Sequence, residues 1–166
     1  SELQDLPRLL STFVHLVSDQ FGYYHTGIYL VNDSGDEFTL RSASSEGGMR
    51  MMKQEHSIRP GMQGAVNHVT QTKKQKIIAD VGADATVFNN PDLPLTRSEI
   101  AVPLLIRGRL LGVLDIQSDK PSAFTTQDLD VFETLADQLA VAIDNARLLE
   151  ESQAALTQLE AITTSR

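Results

Sequence analysis

The chain has no cysteine and no tryptophan. The missing thiol excludes disulfides, thiolate metal sites, cysteine nucleophiles and any chromophore tethered through a thioether within this chain. It fits a reducing compartment, and a cytoplasmic location is the expectation. No apolar run approaches the ~18 residues that a bilayer span requires. No basic-then-apolar segment opens the sequence as a secretory signal would. Positive charge is also short: 14 basic residues against 22 acidic ones leave a net charge of −8. The deficit is concentrated. From Thr126 to Arg166 eight acids face two bases, which accounts for −6, and the remaining chain carries −2. An acidic domain repels phosphate backbones, which argues against a nucleic-acid partner. The basic residues Lys73, Lys74, Lys76, Arg107 and Arg109 form only short spots and read as solvated surface.

What is present is ordinary globular material. The 166 residues, 41% hydrophobic and 22% charged, correspond to one domain with an extra helix. At this size a single core buries about two thirds of the unfolded surface without disulfides or a metal.

Leu3, Leu6, Leu9, Leu10, Phe13, Val14, Val17 and Phe21 recur at spacings of three and four, which predicts an amphipathic helix. Pro7 is compatible only with its first turn, so the regular helix should begin near Asp5. Residues 24–31 and 37–44 read as a hairpin around the turn Asn32-Asp33-Ser34-Gly35-Asp36. Residues 45–55 fit either a short helix or a mobile flap. His56 to Arg59 and Ile77 to Val81 read as short strands, and Gly64 to Thr72 as a short helix. Gly82 to Thr96 is a long polar segment with two prolines, and loops of that length are usually functional or mobile. Ile100–Ile106 and Leu110–Gln117 form a second hairpin around Arg107-Gly108-Arg109. Nearly every position in it is apolar, so both faces should be covered.

Thr125 followed by Asp128 makes a capping box, with Phe124 and Leu129 placed as a hydrophobic staple. The helix that begins there can run to about Ala161, roughly 50 Å at 1.5 Å per residue. A domain of this size is about 30–40 Å across, so the end of the helix should project. Leu135, Ala142, Leu149 and Leu156 recur every seven residues, and Leu139 and Ala146 fill the second seam position. These six residues are the expected dimer seam. The order of elements suggests an α+β fold with an antiparallel sheet.

Several segments resemble the GAF domain family. Ser98-Glu99-Ile100-Ala101-Val102-Pro103-Leu104-Leu105-Ile106, the Gly108 turn and Leu111-Gly112-Val113-Leu114 are similar to its C-terminal hairpin. Phe124-Thr125 through Leu129, Leu135-Ala136, Leu139-Ala140 and Ala142-Ile143 resemble its closing helix. Pro60-Gly61-Met62-Gln63-Gly64-Ala65-Val66 and Ile78-Ala79-Asp80-Val81 match two weaker landmarks. The resemblance covers roughly Leu3 to Leu149. It implies a six-stranded antiparallel sheet with the N- and C-terminal helices on one face. On the other face it implies a ligand pocket, roofed by the segment after Asp80. It divides the chain into a domain over residues 1–149 and a projecting, coiled-coil-like signalling helix over 150–166. Family members are sensory modules of signalling proteins such as the histidine kinases of two-component systems. They bind cyclic nucleotides, tetrapyrroles, haem or small metabolites, or bind nothing, and they commonly dimerise through terminal helices.

The residues narrow these chemistries. Phe88 and Asp92 have the spacing of part of the cyclic-nucleotide pattern, but Leu93 stands where that pattern has Glu, and no Asn-Lys pair occurs. A thioether-linked bilin is excluded by the missing Cys, as is the thiol chemistry of the family's methionine-sulfoxide reductases. His15, His25, His56 and His68 are the possible haem ligands, with His68 the best placed, and core or surface roles suit all four. No His/Asp/Glu cluster has metal-ligand spacing. Gly61-Met62-Gln63-Gly64 lacks the features of a phosphate loop. No Ser/His/Asp ordering suggests a triad, so no catalytic residue is assigned.

The pocket residues implied are Ile58, Val66, Asp80, Val81, Phe88, Arg97 and Glu99. Arg97 and Glu99 could reach a polar head group or pair at the surface. Asp80 could orient a ligand or cap backbone, and Met49, Met51, Met52 and Met62 could form an adaptable wall or core filling. The expected function is small-molecule sensing, relayed through the C-terminal helix of a homodimer to an effector domain of a larger chain. The alternative is a ligand-free dimerisation and scaffolding module. The ligand is unassigned, and neither nucleic acid nor membrane is an expected partner.

Overall fold

The computed structural model describes residues 5–82 and 90–164. Its elements in chain order begin with α1 (Asp5–Phe21), β1 (His25–Val31), β2 (Phe38–Ala43), α2 (Glu46–Lys53) and β3 (Ser57–Ile58). They continue with α3 (Ala65–Thr72), β4 (Lys76–Ile78), β5 (Ser98–Ile106), β6 (Arg109–Ser118) and α4 (Thr126–Thr164). The six strands form one sheet in the order β3-β2-β1-β6-β5-β4, with every neighbouring pair antiparallel. This is the α+β architecture expected from the sequence.

Strand alternation sends side chains into two separate cores. On one face Ile28 and Leu30 of β1, Ile100, Val102 and Leu104 of β5, and Leu114 and Ile116 of β6 meet the helices. Leu10, Val14 and Val17 of α1 and Phe132, Ala136, Leu139 and Ile143 of α4 cover them. On the other face Tyr29, Ala101 and Val113 pack with Met51 of α2 and Ala65, Val66 and Val69 of α3. The central hairpin is thus covered on both sides, which explains its nearly unbroken apolar sequence. The β5–β6 register shifts between Leu104 and Leu105. Gly112 sits beside this irregularity, where a Cβ would fall 2.0 Å from the Tyr29 carbonyl oxygen. Only glycine permits β1 and β6 to approach so closely there.

Residues 45–55 resolve as a helix. Ser45 Oγ accepts from Gly48 N at 2.9 Å and caps α2. The capping box at α4 is also formed, with Thr125 N donating to Asp128 Oδ2 at 2.8 Å and Asp128 N donating to Thr125 Oγ1 at 3.2 Å. Phe124 is buried in the helix-side core and Leu129 packs against it.

α4 has 39 residues, or about 58 Å. Arg107 and Arg109 at the β5–β6 turn reach Asp144 at 4.0 and 3.6 Å, and residues 151–164 are exposed throughout. The expected seam requires a correction along this helix. Leu139 is buried in the chain's own core, and Leu135 and Ala146 pack against the same core. Leu149 and Leu156 remain exposed at 45% and 52%, as do Leu148 at 54% and Leu159 at 60%. The N-terminal part of the heptad stripe closes the domain, Ala142 is half-buried, and the C-terminal part is exposed.

Candidate functional site

On the second face of the sheet, α2, α3 and residues 90–96 stand away from the strands and border a half-open cavity of about 390 Å³. The floor is polar because of alternation in β6. Leu114 and Ile116 turn to the helices, so Asp115 and Gln117 turn to the cavity. Glu99 of β5 lies directly opposite Gln117, and Tyr29 of β1 completes the floor. Met51, Ile58 and Val66 form apolar walls on one side, and Val81, Leu93 and Pro94 on another. Met51 is held in place by the close seating of α2 on the loop. A Cβ on Gly47 would lie 1.9 Å from the Asp92 carbonyl oxygen, so a larger residue would lift the helix away.

The polar groups of the floor are linked. Gln117 Nε2 donates to Asp115 Oδ2 at 2.7 Å and to Glu99 Oε2 at 3.2 Å. Thr96 Oγ1 donates to Gln117 Oε1 at 2.6 Å. Asp115 is only 1% exposed, and its Oδ1 has no hydrogen-bond partner among the described residues. Beside it, His25 approaches Asp115 Oδ2 with Nε2 at 4.0 Å and bonds Ser45 Oγ through Nδ1 at 2.6 Å. The cap of α2 and the pocket acid are therefore neighbours of one buried ring.

Burial sets the protonation of this group. It pushes the Glu99 carboxyl well above its ordinary value of 4.5, with the adjacent Asp115 adding to the effect. Burial, then Asp115 and Glu99, likewise raise the Tyr29 hydroxyl well above 10.0. His25 is lowered from 6.5 because desolvation outweighs the attraction of Asp115. The 4.0 Å approach between them is therefore a neutral ring beside an acid at neutral pH, not an ion pair. His56, which lines the cavity edge-on to Tyr29 with ring centroids 6.0 Å apart, is lowered by burial against the pull of Asp92 and Asp115.

Of the residues expected in the pocket, Ile58, Val66, Val81 and Glu99 line it. Asp80 and Arg97 are not among its lining residues; they pair with each other at 3.6 Å at the surface, and Asp80 Oδ1 accepts from Gly82 N at 3.0 Å. The short β4 ends at Ile78, which leaves Asp80 beyond the sheet. Phe88 lies outside the described residues. Of the four methionines Met51 lines the cavity, Met52 and Met62 pack against the core around it, and Met49 is 44% exposed. Among the histidines His56 alone lines the cavity, and no group of three or more His, Cys, Asp or Glu is placed to hold a metal among the described residues. Sequence reasoning missed Tyr29, Asp115 and Gln117. The signal was available in Leu114-Asp115-Ile116-Gln117, where polar residues alternate with apolar ones inside a central strand.

The comparisons agree with this architecture. The family model for the GAF domain matches residues 4–144. A curated relative, GAF domain-containing protein A of Dictyostelium discoideum, is 30% identical over 136 residues, covering 82% of this chain and 77% of that protein. The chain belongs to the GAF domain family. Among solved structures, the free methionine-R-sulfoxide reductase of Neisseria meningitidis in complex with its substrate is 25% identical with a TM-score of 0.73. That match covers 86% of this chain and 80% of the other. The GAF domain of a phosphoenolpyruvate-protein phosphotransferase from Coxiella burnetii has the same fold, with a TM-score of 0.76 at 21% identity and coverage of 86% and 84%. No helix among the described residues is long and apolar enough to cross a membrane.

Proposed function

We propose that this GAF domain is a regulatory module that senses a small molecule in the cavity and relays its presence along α4. The observation that carries the reading is the buried polar floor. Ordinary core packing gives no reason to hold Glu99, Asp115 and Gln117 together under apolar walls, whereas ligand pockets combine these features. β5 offers the route outward. It turns Glu99 to the cavity and Ile100, Val102 and Leu104 to the core that α4 closes. A ligand drives such a relay only through different affinities for two arrangements of the helix.

The exposed leucines Leu148, Leu149, Leu156 and Leu159 support a second part of the reading, a homodimer joined along the end of α4 and leading to an effector of the parent protein. The module is read as a binder, not a catalyst. One structural neighbour is a methionine-R-sulfoxide reductase, but this chain has no cysteine to supply thiol chemistry.

Native mass spectrometry of freshly purified protein, beside the denatured mass, tests both parts. A dimer carrying a reproducible excess mass is the expected result. A clean dimer would favour the scaffolding alternative, and a clean monomer would remove the dimer mechanism.

A further inference from the structure

The described residues that line the cavity offer no free charge to a ligand. Neither lysine nor arginine is among them. Its two acids, Glu99 and Asp115, are 9% and 1% exposed and are bridged by Gln117 Nε2 at 3.2 and 2.7 Å. Burial, and then Asp115, push the Glu99 carboxyl toward its neutral form. The polar groups left over are uncharged. His56 is half-buried, and neither nitrogen of its ring has a hydrogen-bond partner among the described residues. Its edge-on contact with Tyr29 sets the orientation of the ring. Burial holds the ring neutral at neutral pH, so it offers one N–H donor and one acceptor. The Gln63 side chain, exposed and also lining the cavity, has no hydrogen-bond partner among the described residues either.

We infer that the cavity binds an uncharged, metabolite-sized molecule whose amide or hydroxyl end bonds the His56 ring, with its apolar body against Met51, Ile58, Val66 and Leu93. This rests on the sensing role proposed above and specifies its ligand. A charged group entering the cavity would lose hydration and meet no free group of opposite sign. An anion would approach the acid pair of the floor, and a cation would find the oxygens of that pair buried and engaged by Gln117. An uncharged polar end loses far less on leaving water and gains the hydrogen bonds that His56 leaves unmade. A cavity of about 390 Å³ is at the small end of ligand pockets, which fits a metabolite and not a tetrapyrrole. Two groups share the required chemistry. An amide holds its donor and acceptor in one plane, whereas a hydroxyl offers both through a single rotating oxygen.

The test is isothermal titration of the full chain at neutral pH with hexanamide, 1-hexanol, hexanoate and hexylamine, which share one apolar body and differ in charge. Saturable binding of hexanamide or 1-hexanol, with both ions at least about tenfold weaker, is expected. The stronger of the two neutral ligands identifies the group. His56→Phe keeps a ring against Tyr29 but removes both nitrogens, and should weaken neutral-ligand binding about threefold to tenfold, the scale of one net hydrogen bond. Circular dichroism and melting of the free variant confirm that it folds, and the four-ligand comparison on the unmodified chain does not depend on that variant. Equal or tighter binding of hexanoate or hexylamine would overturn the neutral assignment and leave the sensing role standing. Unchanged binding by folded His56→Phe would overturn the role of His56. If none of the four binds, the molecule retained in native mass spectrometry decides: a neutral one supports the assignment, and an ion overturns it. No retained molecule removes the sensing role, and this inference with it.

Discussion

The two faces of one sheet are built by opposite rules. On the helix side β5 and β6 present Ile100, Val102, Leu104, Leu114 and Ile116, all inaccessible or nearly so, and the buried hydroxyls of Ser98 and Ser118 at the strand ends are hydrogen-bonded to Lys120 backbone. On the cavity side the same strands present Glu99, Asp115 and Gln117, one of them with an unpaired oxygen. Glu99 and Asp115 are buried like the aliphatic set and Gln117 is half-buried, so burial alone does not distinguish the two faces. The difference lies in whether polar demands are met. The helix face is arranged for stability, and the cavity face holds the polar cluster on which the proposed sensing role rests.

Mutations on the two faces should separate accordingly. The largest loss is expected on the helix side. Phe132 of α4 is 1% exposed and packs against the aromatic rings of Phe21, Tyr23 and Phe124. Phe132→Ala should cost about 3–5 kcal/mol in urea unfolding. A cost under about 1 kcal/mol would mean that this face is not the stabilising one.

Leu139 and Leu156 sharpen the comparison along α4. Leu139→Ala should destabilise the domain by about 2–5 kcal/mol, because that side chain belongs to the chain's own core. Replacing Leu149 and Leu156 by Asp should leave the domain's melting largely intact and convert a dimer to a monomer in light scattering. An unchanged mass would refute the seam.

Thr125→Ala removes the cap of α4 and should cost about 1 kcal/mol, again without changing the cavity.

The cavity face should reveal itself through pH. Glu99 holds its proton more tightly folded than unfolded, because of burial and then Asp115. Its stabilising contribution is complete below 4.5 and is lost as pH rises through its raised folded value. His25 and His56 act in the opposite sense. Their contribution is present above 6.5 and is lost as pH falls through their lowered folded values. Glu99→Gln should therefore remove the loss on the rising side and spare the acid-side loss. Unfolding free energies across pH read both limbs, and an unchanged rising limb would show that Glu99 is not its source.

The same contrast explains what could be read without coordinates. The helix face was legible because apolar periodicity is a direct trace of burial. The stripe of α1, both hairpins and the Thr125–Asp128 box all follow from local patterns. The cavity face was legible only in part. Ile58, Val66, Val81 and Glu99 follow from the family resemblance, but Asp115 and Gln117 were hidden in a strand dominated by its apolar neighbours. Asp80 and Arg97 misled because chain proximity to the site does not establish that a side chain reaches it. They satisfy each other outside. On α4 the heptad repeat marks an apolar stripe, yet periodicity cannot say where the domain's own core stops covering it. The strands and α1 decide that Leu139 lies inside and Leu156 outside.

The most direct test of the account is the unfolding free energy of ligand-free Asp115→Asn beside the unmodified chain at neutral pH. If the buried Asp115 oxygen goes without a donor in the folded chain, replacing the carboxyl by an amide should raise stability by about 1 kcal/mol. A loss of about 2 kcal/mol or more would show that Asp115 is a structural member of the core, and would contradict the division between the two faces.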